Sequence, residues 1–268
     1  MFTDSHCHLT FPELAGDMPG VRAAMAAARV TRALCISTTM EEFPSVQALA
    51  TEYDNFWASA GVHPDSEDVH EPSVAELVAA TQMPKVVAIG ETGLDYYQME
   101  ERKGGRGIAD MEWQRERFRT HIRAARQVGV PLVIHTRAAS DDTLAILREE
   151  GEQGGAGSAG GVFHCFTETR EVARAARDPG FYVALSGIVT FEHAREVHEG
   201  ATLIPDDRLL IETDSPYLAP VPYRGKINTP AYVPHVAARL AELRGTSAEH
   251  IGELTSANFT RLFKRVAS

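Results

Sequence analysis

Short apolar runs recur along the chain at FTDSH (2–6), ALCIS (33–37), FWASAG (56–61), VVAIGE (86–91), LVIHT (132–136), GVFHC (161–165), YVALSG (182–187) and LLIET (209–213). Each is strand-length, which predicts eight β-strands. Most of the gaps between them carry apolar residues at helical spacing, as in MPGVRAAMAAARV, PSVAELVAAT, DMEWQRERFRTHIRAARQVG and DTLAILREE. Strand and helix in alternation predict parallel strands with helical crossovers, and eight such strands close into a (β/α)8 TIM barrel, an α/β fold. PAYVPHVAARLAELRG and SAEHIGELTSANFTRLFKRV supply closing helices, the second with a capped start at Ser247 followed by Glu249 and His250. KGGRG (103–107) and EQGGAGSAGG (152–161) are glycine-rich without apolar periodicity and read as mobile loops.

Length agrees with this picture, since the chain has 268 residues and one such barrel uses about 250. A single domain over 1–268 is therefore expected. No segment stays apolar for the roughly 18 residues of a membrane span. The start MFTDSHCHL lacks a basic and then apolar leader, so the mature chain is expected to begin here and to be cytoplasmic. Three cysteines, Cys7, Cys35 and Cys165, are too few for a disulfide framework and suit a reducing compartment. The formal net charge of −11 excludes a broad basic surface for nucleic acid. Any such substrate would be held locally, where bound cations can supply the positive charge.

The unusual polar residues fall at the carboxyl ends of the predicted strands, where barrels carry their chemistry. His6 and His8 end the first strand, His63 follows the third, Glu91 ends the fourth, His135 the fifth, His164 the sixth and Asp214 the eighth. Alternation along a strand puts His6 and His8 on one side and Cys7 on the other. One histidine after a strand is ordinarily a satisfied core or loop residue. Four histidines and two carboxylates converging on one axis cost several kcal/mol to bury unless something pairs them, and metal ions do so. His6, His8, Glu91, His135, His164 and Asp214 are too many for one tetrahedral ion, so two ions sharing a carboxylate are expected, with Glu91 as the bridge. The expected cofactor is a pair of divalent cations, Zn²⁺, Mn²⁺ or Mg²⁺; imidazole with carboxylate suits Zn²⁺, Mn²⁺ or Fe²⁺ better than Mg²⁺ or Ca²⁺.

DSHCHL (4–9), GVHP (61–64), AIGETGLDYY (88–97), VIHTR (133–137), FHCF (163–166) and LLIETDSPYLAP (209–220) with RGKIN (224–228) together resemble the TatD family of metal-dependent deoxyribonucleases. The resemblance spans nearly the whole chain. It implies an amidohydrolase-type barrel with one ion on His6, His8, Glu91 and Asp214 and the other on Glu91, His135 and His164. It also implies DNA as substrate, with 3′ to 5′ exonuclease or repair-type endonuclease activity. Ala138, Thr167 and Glu168 depart from the family pattern at positions where substrate would pass.

In this reading a cation-activated water attacks the phosphodiester, and Asp214 and Glu91 are the catalytic carboxylates, Asp214 also accepting a proton. Arg224 and Lys226 are candidates for holding substrate phosphate, and His63 for a phosphate or leaving-group contact. Asp4 and Glu212, two residues before His6 and Asp214, face the same side of their strands and are candidates for orienting ligands. Alternation turns Cys7 and Cys165 toward the helix layer, while Phe163 and Phe166 read as core. The alternative activity is an amidohydrolase or phosphotriesterase acting on a small molecule, because a fold does not fix a substrate. Enzymes of that kind usually bridge their ions with a lysine, and none stands at a strand end here. A non-catalytic metal-binding scaffold would not need all six donors.

Overall fold

The computed structural model describes residues 1–102, 104–177 and 180–267. Its strands are β1 (Phe2–Cys7), β2 (Val30–Cys35), β3 (Phe56–Ala60), β4 (Val86–Asp95), β5 (Leu132–Arg137), β6 (Gly161–Phe163), β7 (Tyr182–Leu185) and β8 (Leu209–Ile211). They form one parallel sheet in sequential order. The helices are α1 (Pro12–Ala15), α2 (Met18–Ala27), α3 (Phe43–Glu52), α4 (Val74–Ala80), α5 (Met99–Arg102), α6 (Glu112–Val128), α7 (Ser140–Glu149), α8 (Arg170–Arg177), α9 (Arg195–Leu203), α10 (Val233–Arg244) and α11 (Ala248–Leu262). Ser247 caps α11 by accepting a bond from the His250 N–H at 3.1 Å, satisfying one of the free donors of the first turn.

The sheet is a nearly closed barrel. The seam lies just past the end of β8, where the Asp214 N–H donates to the His6 carbonyl at 3.0 Å and the His8 N–H to the Ser215 carbonyl at 2.8 Å. The inward residues Leu34, Val87, Val133, Val162 and Leu210 cluster with Phe259, Leu262 and Phe263 from the end of α11, a plug that fills the lower half of the barrel. A larger apolar layer lies between strands and helices and takes in Cys7, Phe163 and Phe166. No helix among the described residues is long and apolar enough to cross a membrane.

Three elements differ from what the apolar pattern suggests. β4 continues to Asp95, four residues past its apolar run, because Gly93 at φ +138 lets the backbone pass where a Cβ would meet the His135 carbonyl oxygen at 1.9 Å. The 152–161 segment is tethered rather than featureless: the buried Glu152 carboxylate accepts bonds from the Ser158 hydroxyl at 2.5 Å, the Ala159 N–H at 2.9 Å and the Gly160 N–H at 3.0 Å. Of KGGRG, Lys103 lies outside the described residues, and Arg106 Nη2 donates to Glu67 at 2.7 Å.

The third is α6, whose strongly polar sequence suggests a solvated face. Gln114, Arg117 and His121 are nonetheless buried. Their partners are backbone groups of the 62–66 loop after β3. His121 Nε2 accepts the Val62 N–H at 3.0 Å while its Nδ1 donates to the Arg117 carbonyl at 2.8 Å. Burial holds this imidazole down at about 4, against a usual 6.5. The unfolded chain therefore binds a proton that the folded chain refuses between those values, so stability is full above the unfolded pKa and falls on acidification. Between about pH 7.5 and about pH 5 the expected loss is on the order of 2 kcal/mol. Urea unfolding of the wild type and of His121→Gln at both pH values checks this; an identical pH dependence in the two proteins would assign the acid sensitivity elsewhere.

Candidate metal centre

The site begins at the closing seam. His6 and His8 leave β1 on the same side, with their Nε2 atoms 3.2 Å apart, while Cys7 between them points away and donates to the Leu34 carbonyl. Asp214 joins them from the chain beyond β8: its Oδ1 is 3.5 Å from His6 Nε2 and 3.4 Å from His8 Nε2. Glu91, in β4, adds Oε2 at 3.3 Å from His6 Nε2 and 3.9 Å from His8 Nε2. A tetrahedral cation with bonds of roughly 2.0 to 2.2 Å holds its donors about 3.4 Å apart. His6, His8 and Asp214 stand at about that spacing, as does Glu91 from His6, while Glu91 is 3.9 Å from His8, so the chemistry and geometry of the set fit a cation.

The other oxygen of Glu91 faces a second group. His164 Nε2 lies 2.7 Å from Oε1, His135 Nδ1 3.1 Å and His63 Nε2 3.3 Å. His135 Nδ1 and His164 Nε2 are 3.4 Å apart. The structure thus brings the six donor candidates together, with one carboxylate between two sets. His63 stands beside the second set and has the Glu91 and His135 donors within metal-sharing reach.

Positive φ at Asp214, +56, is a conformation that L-residues rarely adopt, and the surrounding bonds dictate it. Asp4, fully buried, accepts the Thr213 N–H at 3.0 Å and the Thr213 hydroxyl at 2.5 Å, and takes the His6 N–H at 3.2 Å. Burial pushes the Asp4 carboxyl up to about 8 despite those donors. On the far side Asn228 Nδ2 donates to the carbonyls of Thr213 at 2.9 Å and Tyr217 at 2.6 Å. Asp4 and Asn228 therefore set the path of the chain through Asp214 by binding its backbone neighbours. Glu212 lies beside another candidate donor: its Oε1 is 3.3 Å from His164 Nδ1 and accepts the Cys165 N–H at 2.5 Å.

Burial alone would raise the Glu91 carboxyl, but the charges of His164, His63 and His6 hold it well below its usual value. Asp214 is likewise raised by burial and brought below its usual value by a hydrogen bond with His8 and the charge of His6. Burial disfavours charge on His164, yet Glu91 and Glu212 together lift it well above the ordinary imidazole value. His6 goes the other way, lowered by burial and by the charge of His164. The centre is electrostatically interlocked, with anionic carboxylates against imidazoles that compete for positive charge.

A cleft of about 860 Å³ opens over these residues, lined among others by His8, Phe11, Thr38, His63, Arg137, Cys165 and Tyr217. Arg224 and Lys226 are not part of its lining. Both are exposed, Arg224 lying 4.1 Å over the Phe191 ring and Lys226 5.9 Å over that of Tyr223. Arg137, 3.7 Å over the Tyr97 ring, is the one Arg or Lys that lines the cleft among the described residues. Cys165 departs from the expectation of a thiol turned to the helix layer. β6 has ended by Phe163 and Cys165 adopts φ +42, so strand alternation no longer applies; the residue lines the cleft and its Sγ lies 3.2 Å from the Ser186 hydroxyl.

Asp95 is a residue that strand-end logic passes over. Its Oδ2 is 3.2 Å from His135 Nε2, fixing that ring with Nδ1 toward Glu91. Its signal was its place in the AIGETGLDYY segment. Gln114 in turn accepts the Asp95 N–H at 3.0 Å and donates to the Pro64 carbonyl at 2.9 Å.

Comparison with known proteins gives a consistent result. The family described as TatD related DNase matches residues 3–264. The uncharacterized metal-dependent hydrolase YcfH of Escherichia coli K12 is 45% identical over 99% of this chain and 96% of its own. A 3′-5′ ssDNA/RNA exonuclease TatD from Escherichia fergusonii is 34% identical over 97% of this chain and 98% of its own. The crystal structure of YjjV, a TatD homologue from Escherichia coli K12, superposes with a TM-score of 0.87 at 28% identity, covering 98% of both chains.

Proposed function

Because this chain belongs to the TatD related DNase family, we propose that it is a metal-dependent hydrolase that cuts DNA phosphodiesters with two divalent cations seated side by side at the barrel mouth. The observation that carries this reading is Glu91, whose Oε2 faces His6 and His8 while Oε1 faces His135 and His164. A shared carboxylate can hold two ions close enough to clamp the attacking and leaving oxygens of an in-line displacement. The first ion would rest on His6, His8, Glu91 and Asp214, the second on Glu91, His135 and His164.

When bound, such ions lower the pKa of a water toward about 7 and neutralise charge on the phosphoryl oxygens. The protein supplies the rest. Asp214, with 16% of its side chain exposed and lining the cleft, is placed to accept the proton of the attacking water. Asp95 holds the ring of His135 in the orientation that ligation needs, and Glu212 places a negative charge 3.3 Å from the outer nitrogen of His164. The activity for which the Escherichia fergusonii relative is named and the open cleft support a single-stranded end as substrate. With a net charge of −11, attraction for the polyanion is confined to the centre itself.

A time course on 3′- and 5′-end-labelled single-stranded DNA tests the proposal. Expected is a ladder of products shortened from the 3′ end, complete loss of cleavage with EDTA, and recovery when Mn²⁺ or Zn²⁺ is restored in excess. Cleavage indifferent to the chelator, or none with any of these metals including Mg²⁺, would remove it.

A further inference from the structure

Three imidazoles face Glu91 Oε1, and their outer nitrogens are held in opposite ways. His135 presents Nε2 to the Asp95 carboxylate in a hydrogen bond of 3.2 Å, and His164 has Nδ1 beside the Glu212 carboxylate at 3.3 Å, an ion-pair distance without hydrogen-bond alignment. A carboxylate on the outer nitrogen keeps the proton there and leaves the inner nitrogen with the lone pair that binds a metal. His63 is the reverse case. Its outer nitrogen, Nδ1, accepts a hydrogen bond from the Asp65 backbone N–H at 3.0 Å. The lone pair is therefore on Nδ1, and in the neutral ring the proton sits on Nε2, the atom aimed at Glu91 from 3.3 Å.

From this we infer that His63 is a fixed-tautomer hydrogen-bond donor to the phosphoryl oxygen of the substrate, and not a third imidazole ligand of the second cation. The inference rests on the phosphodiesterase reading above. An N–H cannot bind a cation, but it can stabilise charge that grows on a phosphoryl oxygen as the nucleophile adds. No proton is transferred, so His63 needs neither to gain nor to lose one. The side chain is 21% exposed and lines the cleft, which gives a bound oxygen access to Nε2.

The rest of the loop is built to keep this orientation. The His63 N–H donates to the Thr38 carbonyl at 2.9 Å. Arg117 Nη1 donates to the carbonyls of His63 at 2.7 Å and Ser66 at 2.8 Å, and its Nε donates to Glu71 at 2.9 Å. Gln114 holds the Pro64 carbonyl and His121 the Val62 N–H. Three side chains on successive turns of α6 thus grip the backbone on both sides of His63, a rigid mounting for one N–H.

The test compares wild type, His63→Ala and His63→Gln, counting Zn²⁺ or Mn²⁺ per chain by elemental analysis and measuring turnover of single-stranded DNA and of bis(p-nitrophenyl) phosphate. Both variants are expected to bind as many ions as wild type. His63→Ala should lose on the order of 10²-fold to 10³-fold in kcat on both substrates, as when one preorganised donor is removed. His63→Gln, whose amide N–H reaches toward the place of Nε2–H, should recover at least about tenfold of that loss. One ion fewer in either variant overturns the inference, as does His63→Ala at wild-type speed, or His63→Gln no faster than a folded His63→Ala. These outcomes are read with an active wild type. A wild type inactive on both phosphodiesters overturns the proposed function itself.

Discussion

Glu91→Gln is expected to lower DNA cleavage by at least about 10³-fold, because a two-ion centre contributes several kcal/mol of charge stabilisation and each 1.36 kcal/mol is tenfold. The substitution keeps the volume and one oxygen but turns an amide NH₂ toward one of the two donor sets. Whichever set receives it then has a donor where a cation needs an electron pair. The six-residue centre also loses the negative charge that lifts His164, so the imidazoles lose their common counter-charge. Elemental analysis should show at most one ion per chain. A Glu91→Gln protein that retains two ions and cleaves within tenfold of wild type would show that Glu91 is not the bridge.

Asp214→Asn should cost about 10² to 10⁴ in kcat, the range associated with a positioned general base. The change is nearly isosteric, and the bonds that shape its turn come from neighbouring residues, since Asp4 binds Thr213 and Asn228 binds Thr213 and Tyr217. The fold should therefore persist. Asp214 Oδ1 belongs only to the His6 and His8 set, so the affinity of one ion should fall while the other is unaffected. Assays at saturating metal separate the two roles: activity that returns to wild type once both ions are bound leaves Asp214 a ligand and ends its role as proton acceptor.

Much of this arrangement could be read from the residues. Strands buried on both faces are near-continuous apolar runs, and the helices beside them have a different period. The donors were legible for the same reason, since a histidine or carboxylate that interrupts an apolar run at its carboxyl end must face the barrel mouth. What stayed hidden depends on backbone geometry or on distant partners. Asp95 lies beyond a glycine that looks like a strand terminator, and only the close passage of Gly93 against His135 makes it part of β4. Cys165 looks outward by alternation until a positive φ turns it. Gln114, Arg117 and His121 sit in a helix rich in charge, and nothing local says that the loop at 62–66 will cover them. Arg224 and Lys226 are suited to phosphate by residue type, and residue type alone does not say that their loop stands outside the cleft lining.

The seam between the first and last strands has a consequence for when this protein can act. His6 and His8 are made early and Asp214 much later, and bonds across the seam bring them together, from Asp214 to His6, from His8 to Ser215 and from Thr213 to Asp4. A growing chain still on the ribosome holds isolated donors and no complete seat for the first cation. Under the proposed function, cation capture there would be a late event of synthesis, one that clasps the first strand to the segment past the last.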